Sequence, residues 1–307
     1  MQVIADCLDS ITNMAPALAQ IVVDNASRDG TVARVSQRPG VEVIANAENR
    51  GFAAAANQGI RAAIENHSAE CILLMNPDVR LLTAVDNLTT EGHECRIAAG
   101  QLVDWKGKPQ EGFTIRRFPT PSALVLELLG INRLWRSNPV NRRYRYFDRD
   151  LSQSGPVEQP AGAFLMIGAE AWKRLGGFDE RFTPVWFEDV DFCRRAADSR
   201  IRIEYIPSVQ AIHEGGHSVG QLSPGCRAIY WCVSLLKYAA KHFRPIGYRG
   251  VCAAVVLSSF PRAVAGMIKE RSLSPLAAYF RITRLAGQCL LSRQDFLHSL
   301  EETPELN

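Results

Sequence analysis

The sequence predicts an α/β fold, and three observations support this class. Short apolar strands at residues 21–23, 41–44 and 71–75 are separated by polar loops and helical segments. Residues 52–65 form an Ala-rich stretch with helical character between the second and third strands. The apolar content of 47% and the charged content of 22% are those of a globular protein. This alternation favours a mixed, mainly parallel sheet flanked by helices.

The expected elements change in character near residue 100. The first part reads helix 2–14, strand 21–23, strand 41–44, helix 52–65 and strand 71–75. The second part reads hairpin or loop 101–117, irregular insertion 131–155, strand 157–167, helix 169–175, strands 201–206 and 209–213, and mostly helix from 223. We therefore expect an alternating α/β part followed by a helical part.

The C-terminal region, residues 223–307, differs from the rest in charge. Between Arg227 and Arg293 it carries eight arginines and three lysines against one acid, Glu270, whereas the whole chain has a net charge of only +3. A basic region on an acidic body suggests an anionic surface as partner. The apolar run at 251–260 favours helices that lie on a membrane surface without spanning it. The alternative is a helical subdomain packed on the body.

Several function classes lack their sequence signatures here. The eight cysteines include no C-x-x-C pair, which favours reduced thiols in a cytosolic protein and argues against a zinc site. No G-x-G-x-x-G follows the first strand, so a nicotinamide-dependent dehydrogenase is not expected. No Gly-rich phosphate loop with a Lys or Arg lies near the N-terminus, which argues against a nucleotidyltransferase. No nucleic-acid partner is expected.

Polar side chains follow two of the apolar strands at the point where each strand ends. Asp24 and Asp78 are candidate ligand contacts, because ligands bind at the carboxyl ends of strands in such sheets. The motif Asn76-Pro77-Asp78 resembles a shortened Asp-x-Asp that can hold Mg²⁺ or Mn²⁺ against a diphosphate, but it is also ordinary turn chemistry. His213 ends a later strand, and its imidazole could complete a metal site with Asp78. A structural histidine is the alternative.

Three carboxylates, Glu188, Asp189 and Asp191, fall within four residues of the chain. If a helix begins near Glu188, they occupy its first turn, where the macrodipole favours negative charge. One interpretation is therefore an acidic helix start. The other is a general base with supporting acids in a cleft, because crowded carboxylates push one another's pKa values apart. The stretch alone leaves both interpretations open.

Seven segments of the chain carry a family resemblance. They are VVDNASRDGT at 22–31, NRGFA at 49–53 with NQG at 57–59, LMNPD at 74–78, QPAGA at 159–163, GGFDERF at 176–182, FEDVD at 187–191 and HEGGHS at 213–218. In this order they resemble the family 2 glycosyltransferases of GT-A fold, in particular the bacterial rhamnosyltransferase-like branch. The resemblance covers about residues 1–245.

The resemblance implies a role for each matching position. Asp189 would be the general base, with Glu188 and Asp191 shaping its field or the acceptor site. Asp78 would bind a divalent metal, Mg²⁺ or Mn²⁺, with His213 as a further ligand. The positions implied in nucleotide-sugar binding are Asp24, Asn25, Ser27, Arg50, Gly51, Asn57, Asn76, Gly162 and Ala163. The first of these would contact the base or ribose, and the last two would keep the sugar pocket open.

The resemblance further implies an inverting transfer of a sugar from a nucleotide-sugar. The branch favours a deoxysugar such as rhamnose on dTDP, and a glycan or polyprenyl-linked acceptor in cell-surface polysaccharide synthesis. Residues 1–222 would form the GT-A domain, with a nucleotide-sugar half at about 1–100, an acceptor half at about 101–222 and the helical extension at 223–307. The expected location is cytoplasmic, at the inner face of the cell membrane. The alternative is a truncated, non-catalytic relative that acts as a scaffold in a membrane-bound assembly.

Members of this family normally begin with an apolar strand ahead of the first helix. Here residues 4–11 already match that helix. The strand at 21–23 would then lack a neighbour and leave buried backbone groups unpaired, at a cost of about 1–3 kcal/mol each. We therefore expect a misassigned start codon and a longer working protein, with a weakened or inactive truncated relative as the alternative.

Overall fold

The computed structural model describes residues 2–89, 96–216, 220 and 222–291. The helices are α1 (Gln2–Met14), α2 (Thr31–Val35), α3 (Phe52–His67), α4 (Pro121–Leu128), α5 (Ile131–Leu134), α6 (Pro139–Tyr144), α7 (Ala169–Leu175), α8 (Glu188–Asp198), α9 (Pro224–His242), α10 (Pro245–Glu270) and α11 (Ser274–Leu291). The strands are β1 (Gln20–Asp24), β2 (Val41–Ala45), β3 (Cys71–Met75), β4 (Val79–Leu81), β5 (Arg96–Val103), β6 (Ile115–Arg116), β7 (Gly155–Pro156), β8 (Gln159–Pro160), β9 (Phe164–Gly168) and β10 (Arg202–His213). These elements confirm the predicted α/β class with a C-terminal helical region.

The largest sheet has six strands and is mixed, as predicted. Its order is β3-β9-β5-β10-β4, and β7 also pairs with β10. Strands β5 and β10 run parallel, whereas β9 lies between β3 and β5 and is antiparallel to both. β4 and β7 are antiparallel to β10. Among the described strands the sheet is therefore mainly antiparallel, where the alternation of strands and helices predicted a mainly parallel one.

Two smaller ladders accompany this sheet. Strands β1 and β2 form a parallel pair of their own, and β6 pairs with β8 in antiparallel fashion. Within the described residues, β1 has β2 as its partner and β3 has β9, so the first strands of the chain do not join one ladder. The β6–β8 pair is short, but it lies next to the acidic helix start described below.

Three predicted segments differ from the structure. The two strands predicted at 201–206 and 209–213 are one strand, because the shift in its pairing with β5 between Ile206 and Gln210 absorbs the irregularity as a bulge. The strand predicted at 157–167 is divided into β8 and β9 around Gly162, which approaches the acidic helix closely. The insertion predicted as irregular contains α5 and α6.

The six-stranded sheet is buried on both faces. One face packs side chains such as Ile97, Ile167 and Tyr205 against apolar residues of α3, α7 and α8. The other face packs Leu102 and Met166 with their neighbours. Strand β5 is buried along its whole length, as expected for a strand at the centre of a covered sheet. The edge formed by the ends of these strands carries the candidate site.

The chain divides into two compact units. One comprises residues 1–118, 145–180 and 188–217 and contains the sheets. The other comprises residues 119–144, 181–187 and 218–307 and is helical. In the helical unit α10 and α11 pack together, and the Arg262 guanidinium donates to the backbone oxygens of Glu127 and Leu128 at the end of α4.

Helix α10 is the apolar helix of the helical unit. By length and composition only, its 26 residues are long and apolar enough to cross a membrane. Of its most apolar 18-residue stretch, 39% is buried inside the protein. No other helix of the described residues meets that test. Core helices of soluble proteins meet it as well, so this finding does not by itself decide between spanning, lying on a membrane and packing in a core.

Candidate active site

Asp189 lies in the first turn of α8 and is partly exposed. Its Oδ2 accepts a hydrogen bond from the Gly162 amide at 2.9 Å and one from Gln159 Nε2 at 3.4 Å, and its Oδ1 accepts from the Val190 amide at 2.8 Å. Burial raises the pKa of Asp189, and the Gly162 hydrogen bond and the charge of Arg116 oppose that rise. The carboxylate is therefore fixed in orientation, on a residue that is partly exposed.

Gly162 is required at this point by the close approach of two backbones. A Cβ atom added to it would lie 2.9 Å from Asp189 Cβ, which no neighbour can relieve without moving the helix start. The sequence predicted that Gly162 keeps a sugar pocket open. In the structure its small size admits the Asp189 carboxylate, and its N–H orients that carboxylate.

Glu188 is buried, with 5% of its surface exposed. Its Oε2 has no hydrogen-bond partner among the described residues. Burial, followed by the neighbouring charge of Asp189, raises the pKa of Glu188 well above its usual value. Burial therefore disfavours the charged form of Glu188, which is the form that a general base needs.

Asp191 is fully buried and ion-paired. Its Oδ2 accepts from Arg195 Nε at 2.8 Å, one turn along the helix. The same guanidinium donates to the backbone oxygens of Leu175 and Gly177, at the turn that follows α7. Asp191 thus holds Arg195 in place to close the α7–α8 connection.

Asp78 and His213 face each other at one edge of the six-stranded sheet. Both are buried, with 6% and 7% of their surfaces exposed, and Asp78 Oδ1 lies 3.7 Å from His213 Nε2. The pairing of β4 with β10 brings them together, because Val79 is opposite His213 in the ladder. Burial lowers the pKa of His213, and the charge of Asp78 opposes that change.

Gln110 fixes the tautomer of His213. Its amide Nε2 donates to the His213 backbone oxygen at 2.7 Å, so its Oε1 must accept from His213 Nδ1 at 3.2 Å. A protonated Nδ1 leaves a lone pair on Nε2, directed toward Asp78, as in metal-binding histidines. The described residues contain no group of three His, Cys, Asp or Glu that could hold a metal, so protein ligands beyond this pair are not found there. His217 of the same segment lies outside the described residues.

The donors of this pair still fit a divalent cation. One carboxylate oxygen and one imidazole lone pair converge, and diphosphate oxygens and water supply the remaining ligands of a Mg²⁺ or Mn²⁺ site in many proteins. Asn76 connects this pair to the acidic helix, since its backbone N–H donates to the Ala163 backbone oxygen at 2.9 Å. Residues Gly162 and Ala163 therefore contact Asp189 on one side and the segment leading to Asp78 on the other.

The loop after β1 carries the other predicted ligand contacts. Asp24 is buried, and its Oδ2 accepts from the Ser27 amide at 2.9 Å. Asn25 Nδ2 donates to the Gly51 backbone oxygen at 3.0 Å, and Asn25 Oδ1 accepts from the Arg50 amide at 3.2 Å. These bonds hold the loops after β1 and β2 against each other and leave the exposed Arg50 side chain at their surface.

Asn57 differs from the other predicted pocket residues. Its amide bonds to both backbone groups of Phe178, with Nδ2 donating to the oxygen at 2.9 Å and Oδ1 accepting from the N–H at 2.8 Å. Nδ2 also donates to Glu180, and Trp172 Nε1 donates to Oδ1. The structure thus uses Asn57 to anchor the turn after α7, with its polar atoms taken up by protein partners.

Two residues that contact His213 were not predicted as site residues from the sequence. Gln110 orients His213, and the Phe113 ring stacks on the His213 imidazole with ring centroids 5.1 Å apart. Both lie in the segment predicted only as hairpin or loop. No local pattern marks them, because their role depends on a partner about one hundred positions away in the chain.

Comparisons with known proteins show what this chain is similar to. The profile of Glycosyl transferase family 2 matches residues 2–85. N-acetylglucosaminyl-diphospho-decaprenol L-rhamnosyltransferase of Mycobacterium tuberculosis is 27% identical over 222 residues, which cover 66% of this chain and 68% of that protein. Rhamnosyltransferase WbbL of Escherichia coli K12 is 27% identical over 152 residues, which cover 48% of this chain and 53% of that protein.

Among solved structures, the chain is similar to the crystal structure of GalNAc-T7 with UDP, GalNAc and Mn²⁺. The TM-score is 0.47 at 13% identity, over 67% of this chain and 40% of that chain. A likeness of this degree carries no functional argument. The family profile and the two rhamnosyltransferases support a glycosyltransferase of family 2 that is similar to the rhamnosyltransferase-like branch.

Proposed function

We propose that this glycosyltransferase transfers rhamnose from dTDP-rhamnose to a glycan or polyprenyl-linked acceptor, with inversion at the anomeric carbon. The observation that carries the proposal is the division of labour in the first turn of α8. Asp189 is oriented by two backbone amides and remains partly exposed, whereas Glu188 is buried and Asp191 is ion-paired. Asp189 is therefore the acid of this turn that can serve as general base.

The proposed reaction is a single displacement. The acceptor hydroxyl gives its proton to Asp189 while its oxygen forms a bond to the anomeric carbon. The bond from that carbon to the phosphate oxygen breaks on the opposite face, and the nucleoside diphosphate leaves with the bonding electrons. A divalent cation held by Asp78 and His213 would neutralise the negative charge that develops on the diphosphate. The similarity to two rhamnosyltransferases supports rhamnose as the donor sugar.

The base is tested by transfer from dTDP-rhamnose to an N-acetylglucosaminyl-diphospho-lipid. We expect Asp189→Asn to lower kcat about 10²–10⁴-fold, because the amide cannot accept the proton, and to leave donor affinity nearly unchanged. Asp198→Asn is the matched control on the same helix, since Asp198 is exposed and pairs with Arg194. Near-normal turnover of Asp189→Asn would remove Asp189 from the role of base.

The metal pair is tested by calorimetry with dTDP in the presence and absence of Mn²⁺. We expect Asp78→Ala and His213→Ala each to remove the part of the affinity that depends on Mn²⁺. His67→Ala is the control, because His67 contacts Glu42 in an exposed pair. The same Mn²⁺ dependence in all three variants would leave Asp78 and His213 as structural residues only.

The proposed acceptor and location follow from the helical unit. Ile246, Leu257, Phe260 and Ile268 of α10 are all more than two thirds exposed and recur on one side of the helix. With the basic residues of α10 and α11, this stripe is typical of a helix that lies in the plane of an anionic membrane. A lipid-linked acceptor would be presented at such a surface, which supports a peripheral position at the inner face of the cell membrane.

A further inference from the structure

Arg116 is a charged residue of the β6–β8 pair, which contacts Asp189 through Gln159, and it is not among the residues predicted from the sequence. It ends the short strand β6, and its Cα partner across the ladder is Gln159 in β8. Gln159 in turn donates to Asp189 Oδ2 at 3.4 Å. The β6–β8 pair therefore brings a guanidinium to the same edge that orients the Asp189 carboxylate.

Two contacts hold the Arg116 side chain. Its Nε donates to the Gly112 backbone oxygen at 2.9 Å, and its guanidinium carbon lies 5.5 Å from the centroid of the Phe113 ring. That ring is the one stacked on His213. Arg116 is thus tethered by the segment that also packs on the proposed metal pair, and it is only partly buried.

The charge around Asp189 makes Arg116 distinctive. On the same helix, burial raises the pKa of Glu188 and of Cys193. Asp191, two residues along, is paired with Arg195. Gln159 of β8 is uncharged. The positive charge of Arg116 lowers the pKa of Asp189 against the effect of burial. Among the described residues this is the cation that acts on the carboxylate.

We propose that Arg116 is a positioning residue for sugar transfer, the fixed counter-charge that acts on the Asp189 carboxylate from the neighbouring β6–β8 pair. The inference rests on the proposed role of Asp189 as base. It does not require Arg116 to touch donor or acceptor. Its neighbour Arg117 points elsewhere, because its guanidinium pairs with Asp148 at 2.9 Å, and so offers a matched control with the same chemistry.

The effect of the Arg116 charge on Asp189 is tested without substrate, by carbon NMR of the Asp189 carboxyl in the full chain. The Asp189 signal is assigned with Asp189→Asn. We expect the titration midpoint to move to higher pH in Arg116→Gln and to stay in place in Arg117→Gln. Arg116→Lys keeps the charge and loses the bond to Gly112, so we expect it to resemble wild type. If Arg116→Gln does not fold, Arg116→Met keeps the apolar stem over Phe113 and removes the charge. An unmoved midpoint, or a Lys variant that behaves like the Gln variant, overturns the proposal.

The pH profile of kcat with dTDP-rhamnose completes the test. We expect the acid limb of Arg116→Gln to move to higher pH with the NMR midpoint, so that the loss of rate is largest at low pH and fades as pH rises. The KM for the donor should not change. A moved NMR midpoint with an unmoved acid limb would mean that Asp189 is not the base, which sinks both proposals. A raised donor KM with an unchanged pH profile would make Arg116 a donor contact and overturn this one alone.

Discussion

Three carboxylates in one helical turn have three different environments. Asp189 accepts from backbone amides, Glu188 is buried with an oxygen that has no described partner, and Asp191 pairs with Arg195. Successive side chains of a helix point about 100° apart, so residues adjacent in the chain can face solvent, core and a neighbouring helix. The three crowded carboxylates therefore differ in burial: Asp189 is partly exposed, whereas Glu188 and Asp191 are buried.

We expect Asp191→Asn to act on stability. Removing one partner of a buried ion pair leaves the other charge uncompensated, at a cost of about 3–5 kcal/mol. Because Arg195 also bonds to Leu175 and Gly177, the turn after α7 should loosen with it. Thermal unfolding followed by circular dichroism measures the effect, with Asp198→Asn as an exposed control. Equal melting temperatures in the two variants would contradict a structural role for Asp191.

Glu188 should make stability depend on pH. Its folded-state pKa lies well above the usual 4.5, because burial disfavours the charged form. Below the unfolded pKa both states are protonated and no penalty exists, and the penalty grows as pH rises from there toward the folded pKa. We expect Glu188→Gln to raise the melting temperature at pH 7 and to change it little at pH 4. An increase of the same size at both pH values would show that its pKa is not raised.

Site residues at the ends of apolar strands were easier to place from the sequence than residues elsewhere in the motifs. Asp78 and His213 were expected at the ends of apolar strands, and the structure places them face to face. Asn57 and Gly162 could not be understood in the same way, because their partners, Phe178 and Asp189, are distant in the chain. A side-chain amide or a glycine in a motif does not show whether it faces a ligand or another part of the protein.

At the scale of elements, local patterns located most strands and helices but not their pairing. Alternating apolar strands and helices predict parallel pairs, and β1–β2 follows that rule. Strand β9 does not, because it enters between β3 and β5 from the opposite direction. Its insertion depends on packing between distant segments, which periodicity does not encode. The long strand β10 was predicted as two strands, because Pro207 lies in the bulge between them.

The amides of the separate β1–β2 ladder should be less protected against hydrogen exchange than those of the six-stranded sheet. Its residues are mostly half-buried, whereas β5 is buried throughout and paired on both sides. Local opening is easier where fewer apolar contacts and ladder partners are lost. We expect amides of β1 and β2 to exchange with solvent deuterium faster than those of β5 in native-state exchange followed by mass spectrometry. Equal protection of the two ladders would contradict this view.

At the scale of the whole molecule, charge and apolar exposure are unevenly distributed. The helical unit contains the basic C-terminal helices and the exposed stripe on α10. The sheet unit contains the candidate active site. The charge asymmetry was visible in the sequence, but the stripe required the structure, because an apolar helix of this length also fits a buried core or a membrane span. Its exposed side is what favours an interfacial position.

We expect the full chain to bind vesicles that contain anionic lipid at low salt, measured by flotation. Basic residues near such a surface contribute about 1 kcal/mol each, and salt screens that part within about 10 Å at 0.1 M. Replacing Leu257 and Phe260, which are 68% and 74% exposed, by Ser should weaken binding roughly tenfold or more through lost apolar burial. Trp105→Ser is the control, because Trp105 is 73% exposed in the sheet unit and should not contribute. Binding that is unchanged in the Leu257 and Phe260 variant, or absent in the wild-type chain, would place α10 away from the membrane and favour a purely structural helical unit.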